Sequence, residues 1–112
     1  MLELSRFARV VVFTGAGMSA ESGVPTYRGR GGIWQQYDYR EYACEDAFRR
    51  DATTVLDFHE VRRTHVLGCA PHAGHAHLAA LQGRHPSLAI ITQNIDGLHQ
   101  RAGSAVAAEL HG

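Results

Sequence analysis

Apolar positions along this chain fall into short blocks whose spacing changes from one to the next. Val10-Val11-Val12-Phe13 is a continuous β-rich run closed by Thr14-Gly15-Ala16-Gly17, a pattern that predicts a buried parallel strand feeding a tight turn. From Met18 to Gly32 the periodicity disappears into Gly, Ser, Pro and Arg. That stretch can start a helix at Ser19 but must open into a loop by Gly23-Val24-Pro25, so it reads as exposed and mobile. Residues 45 to 66 read as one helix: Asp46 can lead the first turn, and Val55, Phe58 and Val61 recur at three-residue steps, placing His59 and Arg62 together on the adjoining face. A second helix is predicted from Pro71 to about Gln82, with Leu78 and Leu81 on one face and Gly83 as a left-handed stop. Leu88-Ala89-Ile90-Ile91-Thr92 repeats the buried-strand pattern, Gly97 to Ala102 reads as a short helical turn closed by Gly103, and Val106 to Leu110 as a third strand.

Strands that end in polar and glycine-rich residues, with a helical insertion at about residues 33 to 70 between the first two, predict an α/β fold. The expected architecture is an incomplete, Rossmann-like parallel sheet with ligands gathered at the C-terminal edge of its strands. At 112 residues the chain is short for a full six-strand dinucleotide fold.

Charge and cysteine content remove several functions. The 11 basic residues balance 11 acidic ones, and all the basic ones are arginine, so a nucleic-acid surface has little electrostatic support. The first residues hold Glu3 among the apolar positions and reach only a four-residue apolar run, so neither a signal peptide nor a membrane span is expected and the chain reads as cytoplasmic. Cys44 and Cys69 form no C-x-x-C pair and read as free thiols. Cys69, His72, His75 and His77 are spaced so that some share a helix face, but no further ligand with zinc-type spacing accompanies them, and no metal site is expected.

The candidate chemistry lies after the strands. Gly15-x-Gly17 between a strand and a helix start lets backbone amides approach a pyrophosphate. By itself it is a weak signal, because Ala20 stands where the dinucleotide fingerprint has its third glycine and no second strand precedes Asp38. Gln93, Asn94, Ile95 and Asp96 follow directly on the second strand, so their side chains are expected to alternate into the crevice. Amide and carboxylate groups there suit a carboxamide and ribose hydroxyls, or simply loop capping.

The longer string from Gly15 to Gly29, GAGMSAESGVPTYRG, joined to Thr92-Gln93-Asn94-Ile95-Asp96-Gly97-Leu98-His99 and Glu109-Leu110-His111-Gly112, resembles the sirtuins, the silent-information-regulator family of NAD-dependent protein-lysine deacylases. The resemblance runs from about residue 9 to the last residue, and implies that the chain is the N-terminal part of a sirtuin catalytic domain with NAD as cofactor. It implies that Gly15 to Trp34 form the cofactor loop: Gly15, Ala16, Gly17 and Ser19 near phosphates and ribose, Arg28 hydrogen-bonded to the cofactor, Trp34 closing the loop, and Tyr27 over the reactive anomeric carbon. Tyr27 stands where most members have phenylalanine; its alternative is ordinary packing. The same resemblance puts Gln93 on the ribose, Asn94, Ile95 and Asp96 in the nicotinamide pocket with Asn94 also organising catalysis, and His111 as catalytic base. The implied reaction starts when an acyl-lysine carbonyl oxygen attacks the ribose carbon bearing nicotinamide, and a base then activates a ribose hydroxyl. Zinc cysteines and the second half of the sheet belong, in the family, after His111; no zinc site is expected here.

Tyr42 to Phe48 and Phe58 to Arg63 further resemble the class III, desuccinylase and demalonylase-like branch. Ala43 matches the alanine that widens the acyl pocket and Arg62 the arginine that binds an acyl carboxylate, while His59 replaces the branch's tyrosine. An arginine fork pairs well with a carboxylate; the alternative for Arg62 and Arg63 is a solvated helix face. The implied partner is an acylated lysine of a protein substrate, with oligomeric state open. Two other readings stay beside the deacylase: a non-catalytic sirtuin fragment that binds NAD weakly or not at all, and NAD cleavage or ADP-ribosyl transfer.

Overall fold

The computed structural model describes residues 2 to 112. Its sheet has three parallel strands in the order β1 (Val10–Thr14), β2 (Leu88–Thr92), β3 (Val106–Glu109). Val10 pairs with Leu88 and Thr14 with Thr92, and the β2–β3 ladder shifts register between Ile90 and Ile91. Side chains alternate across the sheet, so Leu88, Ile90 and Thr92 lie on one face and are buried, with Ile90 fully so. The fold is α/β with an incomplete Rossmann-like sheet, as the strand pattern predicts.

The insertion between β1 and β2 is a helical layer. It comprises α2 (Tyr39–Tyr42), α3 (Glu45–Arg50) and α4 (Ala52–Leu67), which pack mainly on one another. The molecule is consequently long, 52 Å by 23 Å, with a radius of gyration of 16.4 Å against roughly 13 Å for a compact chain of this length.

Several boundaries differ from the sequence reading, each for a local reason. The single helix expected over 45 to 66 is two, because Asp51 leaves helical geometry (φ −153°, ψ 81°) and turns its carboxylate to accept the Thr54 amide at 3.1 Å, capping α4. The short helix α1 (Ala16–Ser19) begins three residues before the expected start at Ser19, directly from Gly15, and passes into a tighter turn over Ala20–Ser22 that ends at Gly23 (φ +90°). Helix α5 (Ala73–Arg84) starts two residues after Pro71, with His72 as its cap, and continues through Gly83 in ordinary helical backbone to end at His85; Gly83 is no left-handed stop. The glycine-rich stretch from Met18 is not uniformly loose either. Ser19 is 1% exposed, whereas Ala20, Glu21, Gly23 and Pro25 are exposed and the chain from Tyr27 to Gly31 is open throughout.

Beyond β2 the chain turns at Gly97 (φ +67°) into α6 (Leu98–Arg101), which buries Leu98 and His99 under the sheet edge.

Candidate functional site

Thr14 and Thr92 end β1 and β2 side by side, and the two loops that follow them build one crevice. Thr14 Oγ1 lies 2.8 Å from Thr92 Oγ1 and 2.8 Å from His99 Nε2, a buried polar link that ties both strand ends to α6. The Thr92 hydroxyl also accepts the Asn94 amide at 3.0 Å, which turns the chain out of the strand. Strand alternation therefore stops at Thr92, and Gln93 to Asp96 reach the crevice from a turn, not from the pleated strand that the sequence suggested.

A second hydrogen-bond group closes the floor. Ser19 Oγ donates to Asp96 Oδ2 at 2.5 Å, and Asn94 Nδ2 donates to the Gly15 carbonyl at 2.8 Å and to Ser19 Oγ at 3.2 Å. Asp96 Oδ1 meanwhile accepts the Leu98 amide at 3.0 Å and starts α6. The β1 loop and the β2 loop are thus stitched across 75 or more residues of sequence. A Cβ on Gly15 would meet only the Gln93 side-chain amide, at 3.4 Å, an ordinary van der Waals contact between the two loops.

Over this floor lies a cavity of about 340 Å³ lined by Ala16, Ser19, Tyr27, Gln93, Asn94, Ile95, Asp96 and His111, together with His59 and Arg62 of α4. Arg62 stands over the Tyr27 ring, 4.9 Å from its centroid, and joins the helical layer to the cofactor-loop candidate. His111 is exposed at the rim.

Not every candidate reaches the cavity. Arg28 is exposed on the loop beyond Thr26, and Gly17 faces open space. Trp34 packs among Tyr27, Tyr39 and Phe58 with ring centroids 5.8 to 6.3 Å apart, holding the loop to the helical layer from behind. Ala43 is the exposed C-cap of α2 and does not line the cavity. His59 does, but its Nε2 is 2.9 Å from the Tyr42 carbonyl and so is already engaged. Sequence reasoning missed Val66, which completes the wall with Val24 and Pro25 of the expected loop and Arg63 of α4. Arg62 and Val66 are four residues apart on α4, so the helical spacing held that signal. Arg63 is bidentate to Glu60 at 2.9 Å, which lowers the Glu60 carboxyl and raises the guanidinium.

Beneath the floor His75 and His99 are buried, their rings 5.0 Å apart. Desolvation pulls the pKa of each below the usual imidazole range. For His75 the neighbouring His72, His99 and Arg101 lower it further, while Asp96 opposes the shift in both. Both imidazoles are accordingly neutral at neutral pH.

A parallel sheet whose strand ends carry a stitched, polar crevice defines an α/β protein of the dinucleotide-binding kind. A family model described as Sir2 family matches residues 15 to 112, and the chain belongs to that family, the sirtuins. It is 49% identical over its whole length to the NAD-dependent protein deacylase of Aeropyrum pernix and 49% identical over 105 residues, 93% of the chain, to NAD-dependent protein deacylase 1 of Pseudomonas aeruginosa. The chain spans 45% and 42% of those two relatives, under half of each. Among solved structures, a Sir2 enzyme described in terms of mechanism and regulation matches 97% of this chain with TM-score 0.84 and 44% identity, over 43% of its own length. A Sir2 homologue in complex with NAD matches 92% of this chain with TM-score 0.76 and 42% identity, over 40% of its own.

Proposed function

We propose that this chain carries the nicotinamide-side and acyl-side half of an NAD-dependent protein-lysine deacylase. The observation that carries the reading is that one cavity collects the β1 loop, the β2 loop, α4 and His111. The donor set fits the cofactor. Side-chain amides and carboxylate of Gln93, Asn94 and Asp96 present the groups that a carboxamide and ribose hydroxyls need, and the volume is of the order of a small-ligand pocket. Relatives named NAD-dependent protein deacylase and a homologue solved with NAD support the assignment. A further Sir2 protein solved with a deacetylated p53 peptide supports a protein-lysine substrate.

Bound NAD supplies an anomeric carbon whose nicotinamide can leave. The chain's own residues do the rest. Tyr27 covers one side of the cavity, where its ring would exclude water from the bound cofactor. Asn94 is held by Gly15 and Ser19, which fixes its amide in the cavity wall, and Asp96, held by Ser19 and the start of α6, would present that wall to a carboxamide. His111 lines the same cavity at its rim and would take a proton from a ribose hydroxyl. Arg62 has no carboxylate partner among the described residues and faces the same cavity, which favours an acidic acyl group such as succinyl or malonyl. His59, bonded to Tyr42, contributes to that wall chiefly by position, and Ala43 no longer figures in it.

The test is nicotinamide release from NAD with acetyl-lysine and succinyl-lysine peptides. Peptide-dependent release is expected, and Arg62→Met is expected to lower the succinyl rate far more than the acetyl rate; equal losses overturn the carboxylate role. Release without peptide would indicate NAD cleavage or ADP-ribosyl transfer. No release from a demonstrably folded chain would favour a non-catalytic fragment that binds NAD weakly or not at all.

A further inference from the structure

Helix α5 has a histidine where asparagine, aspartate, serine or threonine is the usual N-cap. The Gly74 amide donates to His72 Nδ1 at 2.9 Å, and the His72 amide donates to His75 Nδ1 at 3.2 Å, so two imidazoles close a reciprocal cap. Since Nδ1 is the acceptor, the ring proton of neutral His72 is on Nε2. That nitrogen lies 2.7 Å from the carbonyl oxygen of Met18, to which it donates. Met18 belongs to α1, the first turn of the candidate cofactor loop, so one imidazole connects the start of α5 to the element that faces the ligand.

The contact needs Gly74. A Cβ there would stand 2.6 Å from His72 Cε1 and 3.2 Å from the Met18 methyl, so the ring and the methionine occupy the space a side chain would take. His72 is pinned by hydrogen bonds on both nitrogens and cannot swing aside without losing one. On the other flank of the loop, His65 Nε2 lies 2.8 Å from the Gly23 carbonyl, so α4 and the start of α5 hold the segment at both ends. The exposed Glu21 carboxylate is 3.7 Å from His72 Nδ1, outside hydrogen-bond distance, and does not replace the Gly74 amide.

We propose that His72 is a positioning residue: through the Met18 carbonyl, and with Gly74 making room, it sets the α1 loop for NAD. The inference rests on the NAD reading above. A hydrogen bond of this kind corresponds to a factor of about 2 to 12 in an equilibrium constant.

The experiment compares this chain with His72→Asn and Gly74→Ala, using ADP-ribose as the calorimetric probe. Asparagine restores a favoured N-cap but is too short to cap and reach Met18 together, and alanine improves the helix while displacing the ring. Both variants are expected to bind ADP-ribose several-fold more weakly, with Gly74→Ala melting no lower than the parent. The His72 nitrogen signals should also show an unprotonated Nδ1 and protonated Nε2 in the parent, a pattern lost in Gly74→Ala. Unchanged affinity in both variants overturns the proposal. If the parent binds no ADP-ribose, the NAD reading falls for this chain, and amide exchange decides the lock separately. Faster exchange at Gly23 and Val24, whose amides bond Ala20 and Ser19, sustains it, and unchanged exchange overturns it.

Discussion

Acidification should destabilise this protein through two histidines that are buried from solvent. His75 is 0% and His99 2% exposed, and burial holds both below the ordinary imidazole pKa of 6.5. The unfolded chain therefore binds protons as pH falls through 6.5, before the folded chain does. Stability is complete well above pH 6.5 and declines below it until the folded pKa values are reached. Each imidazole contributes a slope of at most about 1.4 kcal/mol per pH unit, and only between its unfolded and its folded pKa, so the stability curve bends downward as pH falls below 6.5. Carboxylates do not confuse this window. Asp51 and Glu60 have pKa values lowered by Thr54 and Arg63, and their stabilisation is lost only at more acidic pH. Urea unfolding at half-unit steps from pH 7.5 to 5.5 measures the effect, with His99→Gln as the control because glutamine can still donate to Thr14. The variant should show about half the slope of the parent. A parent whose unfolding free energy stays flat across the window, or a variant with the parent's slope, would falsify the reasoning.

Removing the α4 cap by Asp51→Ala should lower unfolding free energy by about 1 kcal/mol, while Asp51→Asn should keep most of it, read from urea midpoints. Gly97 and Gly32 separate backbone strain from space. Gly97 has φ +67° with nothing within 4 Å of a Cβ, so Gly97→Ala should cost about 1 to 2 kcal/mol from conformation alone. Gly32 has an ordinary φ of −71°, but its Cβ would stand 2.8 Å from the Tyr27 carbonyl oxygen, so Gly32→Ala should cost more and disturb the turn beneath Tyr27. A smaller loss for Gly32→Ala than for Gly97→Ala would contradict that ranking.

The strands and the site loops were legible because their signals are local. An unbroken apolar run followed by glycine or by Gln-Asn-Ile-Asp marks a strand end whatever packs on it. What was illegible depended on partners distant in sequence. Asp51 reads as one more polar residue in a helix until its carboxylate is seen capping Thr54. His72 carried a weak metal reading, and its contact with Met18 spans 54 residues that no periodicity connects. Ala43 shows the converse: a residue matched by resemblance ends on the exposed end of α2, because Tyr42 and His59 tie that turn in place.

Both faces of the strands are apolar in sequence, yet the structure covers only one. Val11 and Phe13 are 61% and 58% exposed, and they pair in register with the half-buried Ala89 and Ile91, so four apolar positions share one face that is open at its edge. Parallel sheets are almost always covered on both faces. An open strip of this kind marks an interaction surface, and in the isolated 112-residue chain it is expected to promote self-association. Phe13→Ser removes the largest exposed ring of the strip and gives up little buried area. It should reduce concentration-dependent association in sedimentation velocity and dye binding to exposed apolar surface, while changing unfolding free energy by less than about 1 kcal/mol. If the parent chain stays monomeric at high concentration and binds no such dye, the strip is not acting as exposed apolar surface and this reading of the sheet is wrong.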